Sequence, residues 1–226
     1  MKSEIILIRH GITEGNLRHW YYGWTDVPLL EEGRKELVRL RKEGIYPNVL
    51  EDAPVFRSEF KRTLETLRIL YGDRKAKVVP ELDEYNFGRF EAMTVDQFKD
   101  EPDFIRWKND KTGTVPFAGG DSTESFRKRV GRGIRIVLDA HNRYVSGKST
   151  GSGCLRSLAV IHGGVISQML RQMFPDLPGT KYDWVPEPGL GFSVQIEGGK
   201  PVSFTEIRKK GEKTCRTSGK GYPVVV

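Results

Sequence analysis

The segment Ile5-Ile6-Leu7-Ile8-Arg9-His10-Gly11-Ile12-Thr13-Glu14-Gly15-Asn16 decides how this chain is read. Its first four residues form a short apolar run, mostly β-branched, which predicts a buried strand. Gly11 closes the run, so Arg9 and His10 fall at the carboxyl end of that strand, on a Gly-containing turn. Open α/β sheets bind their ligands at that end. The residue types suit an anion. Arg9 offers a planar fork of donors for phosphate. A neutral imidazole at His10 can attack phosphorus or carry a proton. Thr13 and Asn16 can add neutral hydrogen bonds to the same oxygens. The bland alternative is an ordinary strand end with a solvent-facing histidine, so the rest of the chain has to decide.

The totals narrow the class. The chain has 226 residues, 37% hydrophobic and 30% charged, as expected of a globular protein with a full core. No apolar run is long enough for a membrane helix. Glu4 and the candidate site by position 9 leave no room for a removable leader. Cys154 and Cys215 make neither a disulfide framework nor a metal-type spacing. A cytoplasmic location follows as an expectation.

Net charge is +7, and it is uneven. From position 208 onward six basic residues (Arg208, Lys209, Lys210, Lys213, Arg216, Lys220) face the single acid Glu212. That predicts one domain over 1–207 and a loose basic tail over 208–226. Binding of nucleic acid by the tail ranks below simple solvation.

Strand and helix signals alternate along the chain. A helix is predicted over Pro28 to Gly44, with Leu30, Leu37 and Leu40 apolar, and a strand over Ala53 to Phe56. Ser58 reads as the cap of a helix whose apolar face is Phe60, Leu64, Leu67 and Tyr71. A strand covers Lys77 to Val79. Short helical pieces fall near Val95–Phe98 and Phe104–Lys108. A long helix runs from Ser122 to Tyr144, with His141 on its apolar stripe. After a Gly/Ser-rich loop over Ser146 to Cys154 comes a strand, Ser157 to Ile161, then a helix to Met173. Two strands, Phe192–Ile196 and Val202–Ile207, close the pattern. The fold expected is α/β, a three-layer α/β/α sandwich with a mostly parallel sheet and an antiparallel edge strand.

Three more positions share the logic of Arg9 and His10. Arg62 lies in the first turn of a helix, where guanidinium and helix N-terminus together suit phosphate. It is expected to point away from the Phe60 face. His162 ends a strand, and Gly163-Gly164 then opens a helix whose N–H groups an anion can approach closely. Glu84 precedes an aromatic, Gly-punctuated turn, Tyr85 to Phe90, suited to a general acid. Asp83 and Glu91 compete with it on composition alone. Trp20, Tyr21, Tyr22 and Trp24 line a pocket mouth or simply pack.

Several motifs now stand in order: Arg-His-Gly-x-Thr-x-x-Asn at 9–16, Gly23-Trp24-x-Asp26, Ser58-x-x-x-Arg62-x-x-x-Thr66, Leu82-x-Glu84-x-x-Phe87-Gly88, Gly120-Asp121-Ser122 and His162-Gly163-Gly164. Together they resemble the histidine phosphatase superfamily, in its phosphoglycerate mutase-like branch, over about residues 4–207. The resemblance implies that His10 is the nucleophile that becomes phosphohistidine. It implies that Arg9, Arg62 and His162 hold the phosphoryl oxygens, and that Glu84 protonates the leaving oxygen and then activates water. Thr13, Asn16, Gly23 and the backbone at Gly163 would add contacts to phosphate or substrate. The implied activity is a histidine acid-type phosphatase, a phosphomonoester hydrolase acting on a small phosphorylated metabolite, with no metal and no cofactor.

Mutases of this branch carry longer, basic inserts after the proton-donor motif, whereas Asp96–Gly120 here mixes Lys99, Arg106, Lys108 and Lys111 with five acids. The pattern is closer to small phosphatases, which leaves cofactor-dependent phosphoglycerate mutase as the alternative. Three residues depart from the usual pattern. Arg57 replaces a small Ser and can bring a cation to the pocket, Ala92 replaces a Gly, and Asp121 replaces a Glu.

Rival classes fare worse. Gly147-Lys148-Ser149 lacks the spacing and the leading strand of a P-loop. Four histidines without a His-x-x-x-His pair give no metal motif. A non-catalytic phosphate sensor would not need the full set of nucleophile, clamp and proton donor. No membrane partner is expected, and homo-oligomerisation is left open.

Overall fold

The structure, a computed structural model, describes residues 2–148, 153–180 and 182–211. Residues 212–226 of the predicted tail, with Cys215, and residues 149–152 of the predicted loop lie outside it. The described chain runs β1 (Ser3–Arg9), α1 (Glu14–Leu17), α2 (Glu31–Lys42), β2 (Val55–Arg57), α3 (Lys61–Tyr71) and β3 (Lys77–Val78). Two 3-10 turns follow, Pro80–Leu82 and Gly88–Phe90, then α4 (Val95–Phe98), α5 (Pro102–Lys108) and α6 (Thr123–Ser146). β4 (Leu155–Ile161), α7 (Gly163–Met173), β5 (Gly191–Glu197) and β6 (Lys200–Ile207) complete it.

The six strands form one sheet in the order β3-β2-β4-β1-β5-β6. β3, β2, β4 and β1 are parallel, while β5 runs antiparallel to β1 and β6 antiparallel to β5. The expected antiparallel edge is formed by the terminal pair of strands, β5 and β6. A tight Gly198-Gly199 turn, both at positive φ, joins the two antiparallel strands as a hairpin.

The run at β1 is continuously apolar because the strand is central and covered on both faces. Its alternate residues serve two cores. Ile5 and Leu7 pack toward Phe126, Val130 and Val137 of α6 and Val165, Ile166 and Met169 of α7. Ile6 and Ile8 pack toward Leu37 of α2 and Leu67 and Leu70 of α3. That is the expected three-layer sandwich. All four β1 side chains are fully buried, and burying such a side chain contributes about 1.5–3 kcal/mol.

Two local expectations change. The residue preceding α3 is Phe60, whose side chain makes no capping bond; Ser58 turns inward instead. The buried face of α3 is Arg62, Thr63, Thr66, Leu67 and Leu70; of the expected face only Leu67 is fully buried, while Phe60, Leu64 and Tyr71 are half-buried. The helix rotates its polar residues inward because the sheet end they meet is itself polar. Gly147 and Lys148 follow the C-terminus of α6, and Lys148 pairs with Asp52, so no strand leads into them as a P-loop requires.

Candidate active site

Adjacent parallel strands end together, and this delivers the candidate residues to one place. β2, β4 and β1 are neighbours, so Ser58, His162 and the Arg9–His10 pair meet at their carboxyl ends. β1 and β4 are in register through Arg9 and Ile161, and the His10 amide donates to the Ile161 carbonyl at 2.9 Å. The His10 and His162 rings lie 5.3 Å apart, edge to face.

The hydrogen bonds assign the ring protons. His10 Nδ1 is 2.7 Å from the Gly11 carbonyl, which can only accept, so Nδ1 carries the hydrogen and Nε2 keeps its lone pair. Gly11 is held in turn, its amide donating to Thr66 Oγ1 at 3.0 Å. Arg62 Nε, a donor only, lies 3.3 Å from His162 Nδ1. His162 therefore accepts there and donates from Nε2 to Ser58 Oγ at 2.7 Å. Burial, reinforced by the charges of Arg62 and Arg9, holds His10 well below the usual histidine range. Burial and Arg62 do the same for His162. Both rings are neutral at pH 7.

Arg62 is completely buried, and each of its three nitrogens donates one hydrogen bond. Besides Nε, its Nη1 donates to the Thr25 carbonyl at 3.0 Å and its Nη2 to the Gly23 carbonyl. Its guanidinium stacks 4.4 Å from the Phe60 ring centroid and 5.3 Å from that of Tyr22. Arg62 thus lies beside Phe60, not opposite it. A charge so deep needs such partners, and one N–H on each of Nη1 and Nη2 remains beyond these bonds.

The acceptors that hold Arg62 belong to a loop fixed by Glu91. Its carboxylate accepts from the amides of Gly23, Trp24, Thr25 and Phe87 and from Thr25 Oγ1, all at 2.6–3.0 Å. That separates the three rival carboxylates. Glu91 is consumed in holding the loop. Asp83 accepts from the Glu59 amide at 3.0 Å, and burial raises its carboxyl to about 6. Glu84 alone lies against the N-terminus of α7, accepting from the Gly164 amide at 2.9 Å and the Tyr85 amide at 2.9 Å. A Cβ at Gly164 would fall 2.5 Å from Glu84 Oε1, and one at Gly163 would fall 3.1 Å from Arg9 Nε. Both glycines therefore make room for the charged groups. Arg9 Nη1 donates to the Pro186 carbonyl at 2.7 Å, while its buried Nε has no partner.

The remaining predicted residues separate into two groups. Asn16 and Gly163 lie at the site, Asn16 on the cavity wall. Gly23 acts through its carbonyl on Arg62. Thr13 is fully buried, and its amide and hydroxyl both donate to Asn16 Oδ1; it shapes the turn and does not reach the cavity. Arg57 folds back onto the Ser58 and Glu59 carbonyls and lines no part of the cavity. Sequence reading missed the Ser58 contact, the Glu91 clamp and Arg129, which donates to the Asp83 and Glu84 carbonyls. Ser58 was signalled only by its place four residues before Arg62.

A cavity of about 750 Å³ opens beside these groups, with Arg9, Asn16, Glu84 and Gly164 on its inner wall. Trp20, Tyr21 and Tyr22 line it, as does Trp107. His10, Arg62 and His162 lie buried next to it and are not part of its lining. Trp24 is about half exposed and donates to the Glu84 carbonyl. Among the described residues no group of three or more His, Cys, Asp or Glu is arranged to hold a metal ion, and no helix is long and apolar enough to cross a membrane.

Known proteins resemble this chain in sequence and in fold. The family model described as histidine phosphatase superfamily (branch 1) matches residues 5–195. An adenosylcobalamin/alpha-ribazole phosphatase of Salmonella typhimurium is 27% identical over 197 residues, covering 84% of this chain and 89% of its own. A 2,3-bisphosphoglycerate-dependent phosphoglycerate mutase of Staphylococcus haemolyticus is 28% identical over 137 residues, 55% of this chain and 58% of its own. In fold, the alpha-ribazole phosphatase of Shigella flexneri superposes with a TM-score of 0.69 at 24% identity, covering 91% of this chain and 94% of its own.

Proposed function

Because the chain belongs to branch 1 of the histidine phosphatase superfamily, we propose that it hydrolyses a small phosphomonoester through a phosphohistidine on His10. One observation carries this reading: a neutral imidazole keeps the lone pair on Nε2 while two guanidinium groups and a carboxyl surround the same sheet end.

The lone pair of His10 Nε2 attacks phosphorus as the bond to the ester oxygen breaks. Arg9 and Arg62 offset charge on the equatorial oxygens, the main demand of a loose phosphoryl-transfer transition state, and His162 joins them by turning its Nε2–H from Ser58 Oγ to one of these oxygens. Glu84 gives its proton to the leaving alkoxide, so the alcohol departs neutral. The resulting carboxylate takes a proton from water, whose oxygen attacks the phosphohistidine and returns His10 Nε2 with its lone pair. Tyr22 lines the cavity, and its ring centroid is 6.5 Å from that of His10; in this reading the ring moves aside as the phosphoryl group enters.

Rapid quench with phosphorus-labelled substrate should trap an acid-labile, base-stable adduct on wild-type protein and none on His10→Ala. Turnover with no such adduct at any time point would refute the covalent route. The mutase reading draws on the similarity to a phosphoglycerate mutase. Conversion of 3-phosphoglycerate to 2-phosphoglycerate faster than phosphate release would establish it instead.

A further inference from the structure

Resting on the hydrolase reading, we infer that the leaving alcohol carries a flat aromatic or otherwise apolar group and no second negative charge. The cavity beyond the phosphate end is built of rings: Trp20, Tyr21, Tyr85, Phe87, Trp107 and Phe126 line it. Behind them stands an aromatic cluster in which Phe117 packs against Tyr21, Tyr85, Phe87 and Trp107. This wall is braced in place by its neighbours.

The polar tips of two wall residues are turned on each other. Trp107 Nε1 donates to Tyr85 Oη at 3.0 Å, and Tyr85 Oη donates to the Asp121 carbonyl at 2.5 Å. These rings therefore offer the cavity chiefly carbon. Flat rings of a ligand pair well with such a surface, edge to face or offset-stacked.

Charge points the same way. Among the described residues lining the cavity, Arg9 is the only arginine or lysine, and it belongs to the phosphate end. The neutral groups Asn16, Thr123 and Gln168 supply hydrogen-bonding capacity without charge. A carboxylate or second phosphate on the leaving group would lose water among rings and, among the described lining residues, would meet no arginine or lysine beyond Arg9 and only the imidazole of His19, which is costly. At about 750 Å³ the space suits a ligand of two or three rings.

Four esters of primary alcohols test this: 1-naphthylmethyl phosphate, benzyl phosphate, glycerol 3-phosphate and 3-phosphoglycerate. Phosphate release is followed to give kcat/KM for each. The naphthylmethyl ester should exceed glycerol 3-phosphate by about tenfold or more, chiefly through KM, with 3-phosphoglycerate lowest. Trp20→Ala, at the more open side of the cavity, and Trp107→Ala, in its wall, should each shrink the ratio of naphthylmethyl to glycerol ester. Gln168→Lys should raise 3-phosphoglycerate relative to glycerol 3-phosphate. Equal or faster hydrolysis of the glycerol ester or 3-phosphoglycerate by wild-type protein overturns the inference and leaves the hydrolase reading standing. Release from none of the four overturns the hydrolase reading, and this inference with it.

Discussion

Two regions of the molecule hold buried histidines, and they use them differently. At the carboxyl ends of the parallel strands stand His10 and His162. At the other end of the same strands, roughly 20 Å away by the rise of β1, stands His141 on α6. All three are buried, and burial lowers all three, His141 to about 4. Their partners differ. His141 spends both ring nitrogens on hydroxyls, Nδ1 on Ser157 at 2.8 Å and Nε2 on Ser3 at 3.0 Å. Ser3 passes its own hydrogen to the Ile196 carbonyl, so nothing there is left to react. His10 spends one nitrogen on a carbonyl and keeps the other beside two guanidinium groups. A depressed histidine pKa therefore does not mark chemistry in this fold. The charge around the ring does, and at His10 so does the nitrogen left over.

The sharpest way to break that contrast is to delete each ring. His10→Ala should lower kcat by about 10⁴-fold or more with little change in thermal midpoint. His141→Ala should leave kcat within about twofold at a temperature where the protein is folded. Phosphate release and a melting curve on the same samples read both. A large loss of turnover in His141→Ala would dissolve the distinction.

The Glu91 clamp supplies the next largest effect. Glu91→Gln should cost roughly 10- to 100-fold in kcat/KM, because the loop that orients Arg62 loses its anionic anchor. The loss should fall on kcat more than on KM, since Arg62 is assigned to the transition state. A change in KM alone would place Glu91 in substrate binding.

Stability then separates the two ends. His141→Ala should cost about 2–4 kcal/mol in urea unfolding, from the cavity and from hydroxyls left unpaired. The pH dependence has a definite sign. His141 binds its proton near 6.5 when unfolded and near 4 when folded. Its contribution is full above about 6.5 and is lost as pH falls toward 4. Asp83, raised to about 6, works oppositely over that range but is common to both proteins. The difference in urea midpoint between wild type and His141→Ala should thus narrow from pH 7 to pH 4.5. A constant difference would mean the ring is not held neutral.

The smallest effect is a gain. Ala92 has φ of +60°, a conformation that favours glycine. Ala92→Gly should stabilise by about 1 kcal/mol, a rise in thermal midpoint of about 2–4 °C, with turnover unchanged.

The convergence of the candidate site at one sheet end is largely legible because strand ends announce themselves. Arg9, His10 and His162 each follow an apolar run, and a run covered on both faces leaves little doubt about where it stops. What hid was whatever depends on rotation about a helix or on a partner distant in the chain. Ser58 has the composition of a helix cap, and only the proximity of His162, 104 residues on, turns it inward. Apolar spacing alone sets Arg62 opposite Phe60. A buried charge cluster reversed that. Glu84, Asp83 and Glu91 are alike in composition, and they are told apart by which amides each one meets. The rings of the cavity come from stretches 20–22, 85–87, 107 and 126; Phe126 belongs to the periodic stripe of α6, but no spacing signals that these rings meet.

The central place of β1 carries a cost during synthesis. Its parallel neighbour, β4, begins about 150 residues later. At ribosomal speeds of about 5–20 residues per second, the apolar N-terminal segment waits on the order of ten seconds for its mate. A nascent chain cut short before Gly164 has no seat for the Glu84 carboxylate, so enzymatic competence arrives only once the last parallel strand docks.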